Sequence, residues 1–502
     1  MKWPFSKTTP DRAEPLLPAP TDHRREPALS FRSYRAARPD RLAKGFNVFD
    51  TTTRDQTRRE IRGLVSHSRH AAHNFDYQRS YEMLFRRHVI GPNGIRLQMD
   101  VRDPNGRKDT IANRLIESGW QRWGKMGTPS ICGRLSWWGI ECQMATAIAR
   151  EGGAFMRFHR GFNRGAFGMQ VEPIPFDLLD LDLTKRLDDF SYIESGIEFN
   201  EDGRVLAFHL WTAPATEGHR PIKRRRIRVP ASEMIYVIIP EEVGQALGVP
   251  RSATALRLMN MSEKYQESAM AAAHYGAAQM VFFKQDASTD QISKPAKPDM
   301  PIDEIEGGTM GMLPPGVTPE WSNPAYPEAA IEPFMRHMGT NQAAGLGVAY
   351  ETLSGDLSRA NFSSLRAGKG EERDEWRMLQ RAVFEGLHDM VFSNFLPMAI
   401  ISGQIRLPIE KLDKFLSPIW RPRGWQSVNP KDDATANAND LASGNKSLTE
   451  IVADRGRSVE DVLDERAAEV AAFKARDLPV PEWMGMPDDG VPGDNDPPLK
   501  GD

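Results

Sequence analysis

From Ser252 to Met280 the chain reads SATALRLMNMSEKYQESAMAAAHYGAAQM, with Pro250 just before it and no proline inside. Proline within a helix removes a hydrogen bond and collides with the preceding turn, so its absence over this length predicts one continuous helix. At ~1.5 Å per residue the helix is a rod on the order of 40 Å long. Its second half is small on all sides, with Ser268, Ala269, Ala271, Ala272, Ala273, Gly276, Ala277 and Ala278. Small residues let helices approach closely, which suits packing against other helices along the length; an ordinary buried helix is the alternative.

The segments before the rod have a different texture. Residues 1–30 are rich in proline and charge and poor in large apolar residues, a composition expected of a flexible arm. Ile61, Leu64, Val65, Ala72, Phe75 and Tyr81 recur at helical spacing, interrupted near Asn74, and predict two helices followed by turns at Gly91 and Gly94. Between Ile95 and Glu242 short apolar segments (IRLQMDV, AFMRFHR, GIEFNEDGRVLAFHLW, MIYVIIP) alternate with helical patterns at Ile111–Trp123 and Ser136–Arg150. IEF and VLAFHLW, joined by Asn200–Arg204, predict a hairpin, because Asp-Gly supplies the positive φ of a tight turn. The fold class expected is α+β.

After the rod, residues from Phe282 to Tyr326 are rich in Pro and Gly, and MVFF and GMLP are candidate strands of a small β-rich excursion. A helix is expected over Glu328–Gly345, and another from Asn361 to Ile401, with Leu365, Trp376, Leu379, Val383, Leu387 and Val391 as its apolar stripe. Between them lies Gly347–Gly370, GVAYETLSGDLSRANFSSLRAGKG, a polar loop long enough to be either functional or disordered. Trp420–Val428 is expected to be a packed connector. Two further helices are predicted at Pro430–Ser443 and Ser447–Phe473, the second opened by a Ser447/Glu450 capping box. From Leu478 onward the chain is acidic and rich in Pro and Gly, and is expected to be disordered.

With 65 Lys and Arg against 68 Asp and Glu, the net charge is −3, so nucleic-acid contact would have to be local or loose. Cys132 and Cys142 are too few for a disulfide framework and point to a reducing compartment. The N-terminus lacks a signal-peptide core and no apolar run reaches the ~18 residues of a membrane span, so a soluble intracellular protein is expected.

Tests for chemistry are negative. His67, His70 and His73 recur every three residues without a Cys or carboxylate at zinc-ligand spacing, which favours a solvated helix face over a metal site. RAGKGEE around Lys369 lacks the spacing of a phosphate loop, and no GxSxG, HExxH or dinucleotide fingerprint occurs. Ser354 would need a base that the sequence does not nominate. No catalytic residue, metal or cofactor is expected. The most basic run, Lys223–Arg228 (KRRRIR), fits either a solvated strand edge or a phosphate contact.

Several spaced blocks carry a resemblance: YRAARPDRL, SRHAAHNFDY with HVIGPNGIRLQ, REGGAFMRF, GIEFNEDGRVLAFHLW, RVPASEMIYVIIPEEVGQALGVP, AAGLGVAYETLSGDLSRANFSSLRAG, and VNPKDDA with SLTEIVADRGRSVEDVLDERAAE. In this order, over roughly residues 34–475, they resemble the lambda-type family of tailed-bacteriophage portal proteins. The resemblance implies a ring, usually of twelve copies, at one capsid vertex, through which double-stranded DNA passes with non-specific contact. It also implies docking of the large terminase subunit and then of head-completion or adaptor proteins, contact with major capsid and scaffold proteins, and no membrane. Its plan divides the chain into a wing (31–250), a stem helix (251–280), a clip (281–325), a second stem helix (326–346) and a tunnel loop (347–363). A long wing helix with connector (364–424), a helical crown (425–477) and the acidic tail (478–502) complete it. On this plan Tyr350, Glu351, Ser354, Asp356, Arg359 and Asn361 would face the tunnel, Arg359 as the phosphate contact, and Ala269, Ala272, Ala273 and Gly276 would pack between subunits. Two other classes stay open: a DNA-processing enzyme of a mobile element, disfavoured by the missing motifs, and a head-tail adaptor, disfavoured by the chain's length.

Overall fold

Alternation along one strand separates two hydrophobic cores. The computed structural model describes residues 53–187, 190–214, 223–277, 281–285, 317–321, 330–358, 362–425, 430–455 and 457–479. Helices α1 (Thr53–Asn74) and α2 (Asp76–Phe85) meet at Phe75, and a single π turn, Arg86–Ile90, leads to Gly91 and Gly94 at φ +77° and +70°. Strand β1 (Arg96–Met99), α3 (Thr110–Trp123), α4 (Trp137–Glu151), β2 (Gly153–Arg160) and β3 (Met169–Ile174) follow. Asp109 and Ser136 start the two helices by accepting from the backbone N–H groups of Ala112 and Gly139, donors that would otherwise lack partners.

Next come β4 (Lys185–Arg186), β5 (Tyr192–Glu194), β6 (Ile197–Phe199), β7 (Val205–Trp211) and β8 (Arg226–Pro230), an antiparallel sheet in sequence order. Its β6–β7 hairpin turns through Gly203 at φ +80°, and Asn200 Oδ1 accepts from the Arg204 N–H at 2.7 Å. Strand β9 (Met234–Ile238) returns to β2, giving a three-stranded sheet of order β3-β2-β9. Successive strand side chains point to opposite faces. Ala154, Met156 and Phe158 of β2 therefore enter one core while Phe155 enters the other, stacked on Tyr236 at 3.9 Å. The smaller core joins the five-stranded sheet, through Ile197, Phe199, Phe208 and Val229, to Ile61 and Val65 of α1.

The second half of the chain comprises α5 (Ala253–Ala277), the antiparallel pair β10 (Val281–Gln285) and β11 (Val317–Trp321), α6 (Ile331–Leu346), α7 (Tyr350–Ser354) and α8 (Phe362–Val383). A π turn, Phe384–His388, continues α8 into α9 (Asp389–Ile401). Then follow α10 (Leu412–Phe415), β12 (Pro418–Arg421) paired with β1, α11 (Pro430–Ser443), α12 (Leu448–Asp454) and α13 (Val459–Ala475). The larger core is built around rings spaced by one helical turn: Trp120 and Trp123 of α3 meet Phe392 and Phe395 of α9, with centroid separations of 5.0 to 5.9 Å, and Trp137 and Trp420 close the cluster.

Several elements differ from the sequence expectation. The strand opposite MVFF is Val317–Trp321; GMLP lies outside the described residues. The segment Ser447–Phe473 is two helices, because Ser458 caps a new start by accepting from the Glu460 N–H; the Ser447/Glu450 capping box is present. Within Gly347–Gly370, residues 350–354 and 362–370 are helical. The long helix carries its π turn where Gly386 lies against Val237 and buried His388 meets buried Glu141 at 2.6 Å. Among the described residues no helix is long and apolar enough to cross a membrane.

Helix α4 ends at Gly152 (φ +85°), where an added Cβ would lie 2.4 Å from the carbonyl carbon of Val249, and a Cβ on Gly248 would lie 2.0 Å from the Gly152 carbonyl oxygen. Both obstacles are backbone, which cannot step aside. Gly152→Ala is expected to cost at least ~2 kcal/mol, from the left-handed conformation plus displacement of the Gly248–Val249 backbone. Thermal unfolding measures it, and an unchanged melting temperature would contradict the packing described.

Candidate functional site

The region that projects toward function is the α5–α6 pair and the turn that follows it. Helix α5 lies antiparallel to α6: Thr254 Oγ1 donates to the Gly345 carbonyl at 3.0 Å, Gln342 Nε2 donates to Ser262 Oγ at 2.7 Å, and Tyr265 meets Phe334 at 5.0 Å. The base of the pair is seated in the large core, through Ala255, Met259, Ala343 and Leu346. Farther along α5, Ala269 and Ala273 are half-buried, Ala271 and Ala272 are exposed, and Met270 is 73% exposed. Gly276 lies within α5, and its surroundings are outside the described residues.

Helix α6 stops because Gly347 takes φ +69°, and its N–H caps the Ala343 and Ala344 carbonyls. Val348 and Leu353 then turn inward, buried in the large core, and Ser80 Oγ donates to the Leu353 carbonyl at 2.7 Å. This fixes the short helix α7. Tyr350 sits in a space that only glycine leaves open: a Cβ on Gly339 would be 2.7 Å from the Tyr350 ring. The Arg336 guanidinium lies 5.4 Å from that ring's centroid, and the Tyr77 hydroxyl is pushed up to about 12, first by burial and then by Tyr350.

Asp356 closes the arrangement. Its Oδ1 accepts from the Ser358 hydroxyl at 2.6 Å and from the Ser358 N–H at 2.9 Å, while Oδ2 pairs with Arg336. The Ser358 hydroxyl, then its N–H, and also Arg336, hold the Asp356 carboxyl below the usual range. Ser354 Oγ donates to the Tyr350 carbonyl at 2.7 Å and accepts from the Asp356 N–H at 3.1 Å, the bonds of a helix-end hydroxyl rather than of a nucleophile. Tyr350, Ser354 and Asp356 are thus brought together and held from behind by Arg336. Glu351 is half-buried and lines a cleft that Thr352, Gly355 and Leu357 also line; the Thr352 hydroxyl donates to Glu372 at 2.8 Å. Leu357 is 58% exposed, and Arg359 and Asn361 lie outside the described residues.

Arg336, Tyr77 and Gly339 carry no local signal of this role, since each acts across the fold on a residue distant in sequence. The other candidates separate cleanly. His67, His70 and His73 are exposed on α1, and among the described residues no group of three or more metal-ligating side chains comes together. Lys369 is inside α8 rather than in a phosphate loop. In the basic run, Arg228 binds both oxygens of Glu198 at 2.8 Å, Arg226 pairs with Asp180 at 2.5 Å, and Arg224 lies over Trp211 at 4.0 Å. Much of that charge is answered within the sheet.

Gly339→Ala is expected to lift Tyr350 off α6 and loosen the whole turn. Hydrogen exchange over residues 350–356 should accelerate at least ~tenfold, an opening energy change of ~1.4 kcal/mol, with the rest of the chain unaffected. Unchanged exchange there would contradict the glycine's role.

A family model described as "Phage portal protein, lambda family" matches residues 39–380, about two thirds of the chain. A "Probable portal protein" of Halomonas phage phiHAP-1 is 28% identical over 480 residues, covering 93% of this chain and 92% of that one. Among solved structures, a chain in the "Neck of empty GTA particle computed with C6 symmetry" aligns at 12% identity and TM-score 0.42, covering 82% of this chain and 95% of that one. One in the "Neck of native GTA particle computed with C12 symmetry" aligns at 10% identity and TM-score 0.43, covering 78% and 92%. With a family match of this extent, and portal-protein similarity running over nearly its whole length, the chain belongs to the lambda family of phage portal proteins.

Proposed function

We propose that the protein closes into a ring of twelve copies at one vertex of the capsid, with the tunnel loop, residues 347–363, directed into a channel for double-stranded DNA. Membership of the portal family carries this reading, and it makes the protein a structural component of the virion rather than an enzyme. The exposed small-residue face of α5 supports it. Ala271 and Ala272 stand free beside the half-buried Ala269 and Ala273, a surface on which a neighbour's helix can approach closely. A head-to-tail contact of this kind generates a ring when its rotation closes.

The turn's construction suits moving DNA. Its base is tied to α2 and α6 through the Leu353 carbonyl and Asp356, and Arg359, just beyond it in sequence, is the candidate phosphate contact. Asp356 and Arg336 answer each other internally, so the loop presents little fixed charge. Each firm phosphate contact adds salt-dependent affinity, and a channel lined with many would hold DNA rather than pass it. The ring docks the large terminase subunit during packaging, and head-completion or adaptor proteins afterwards. It assembles in the bacterial cytoplasm with major capsid and scaffold proteins, where it nucleates the procapsid.

Replacing residues 359–361 with Gly and Ser leaves Leu353, Asp356 and Ser358 in place and tests the loop without disturbing its base. Rings should assemble normally while packaged or retained DNA falls at least ~tenfold, an interaction change of ~1.4 kcal/mol or more. Normal packaging by such rings would refute the loop's role in the channel.

A further inference from the structure

A cleft of about 1870 Å³ opens where the end of α2, α7 with the turn after it, α8, the segment after β12 and helices α11 to α13 converge. Ten Lys and Arg side chains line it against five Asp and Glu, so it is strongly positive. Three of the five acids are engaged: Glu372 accepts from Thr352 and Trp376, Glu465 pairs with Arg457, and Asp454 lies 3.8 Å from Lys446. At the end around His88 the balance is one-sided. Burial, then Arg423, Arg87, Arg373 and Lys369, lower His88 to about 4. Arg423 is itself depressed, first by burial and then by Arg87 and Arg373. Cations crowded in a half-buried place repel one another, and an anion relieves them.

Half-buried His88 and Trp425 line the same end, set on the buried ring of Trp376. His88 is stacked between Trp376 at 5.2 Å and Trp425 at 6.1 Å, and Trp425 Nε1 donates to His88 Nδ1 at 2.9 Å. Grooves that combine aromatic rings with guanidinium groups select extended segments rich in proline and carboxylate. The chain carries such a segment: PEWMGMPDDGVPGDNDPPLKGD, residues 481–502, with Glu482, Asp488, Asp489, Asp494, Asp496 and Asp502 against a single Lys500.

We propose that this cleft is the docking site of the chain's own acidic, proline-rich C-terminal segment, residues 480–502, whose carboxylates pair with Arg87, Lys369 and Arg423. Reach is sufficient. Arg457 and Glu465 form part of the cleft wall and α13 ends at Ala475, ~15 Å farther along the helix axis, a distance that five or six extended residues span. Tethering raises the segment's local concentration to about the millimolar range, so modest intrinsic affinity fills the site. The docked segment covers a guanidinium-rich surface that would otherwise compete for DNA phosphates.

The test uses the full chain and an Asp-directed protease, with the rate of cutting between Asp488 and Asp496 compared with that of the free peptide 480–502. At low salt the tail of the unaltered protein should be cut at least ~tenfold more slowly than the peptide. Protection should disappear in Arg87→Gln/Arg423→Gln, or at about 0.5 M salt, where screening is strong. Equal rates for tail and peptide at low salt overturn the proposal, as does protection that the double variant retains. If the double variant does not fold, the salt series on the unaltered chain decides, and protection that persists at high salt overturns the proposal. A short DNA duplex that binds the unaltered chain but not the variant, with the tail cut at the peptide's rate in both, assigns the cleft to nucleic acid instead and overturns it.

Discussion

The seating of the α5 and α6 bases governs everything that projects from this fold. Ala255, Met259, Ala343 and Leu346 share one core with the tryptophans of α3 and α4 and with Phe392 and Phe395 of α9. Val348 and Leu353 extend the same attachment past the end of α6. A large-to-small change at a buried leucine of this kind costs ~2–5 kcal/mol. Here it would also release the turn from its frame. Ala271 and Ala272 on α5 and Leu357 in the turn are then carried at the surface by a buried base, the condition for residues that meet a neighbour or a polymer.

Buried and half-buried ionisable side chains are tied together in pairs across the body. Glu141 and His388, both fully buried, meet at 2.6 Å and tie α4 to the π turn between α8 and α9. Arg69 joins Glu151 and Asp177, and Arg228 joins Glu198, which also meets His209 at 3.0 Å. Such pairs are expensive to break because the remaining partner is left as an uncompensated charge. With so much charge answered internally, the near-neutral composition describes a surface with local charge, the basic cleft above all, rather than a uniformly mild one.

Helices and the hairpin were legible in the sequence where local chemistry decides them. The interruption near Asn74, the Asp-Gly turn at Gly203, the capping box at Ser447 and the proline-free run of α5 are each visible in a few adjacent residues. What stayed hidden depends on contacts across the chain. Nothing near Gly347 says that Tyr350 will rest on Gly339 or that Arg336 will hold Asp356, so a stretch readable only as a polar loop contains a fixed helical turn. Likewise Ser458 reads as one polar residue in a helical pattern until its hydroxyl is seen starting α13. The split of β2 between two cores follows from strand alternation, but which sheet lies on each face does not.

The central claim is that the exposed small-residue face of α5 is an interface between copies that closes a ring. Electron microscopy of the purified full chain tests it most directly. The account predicts closed rings of about twelve copies with a central opening and the α5 rods side by side around it. A chain that remains monomeric at about 10 µM, a concentration well above that of a stable oligomer's dissociation, or that forms open filaments, would contradict it.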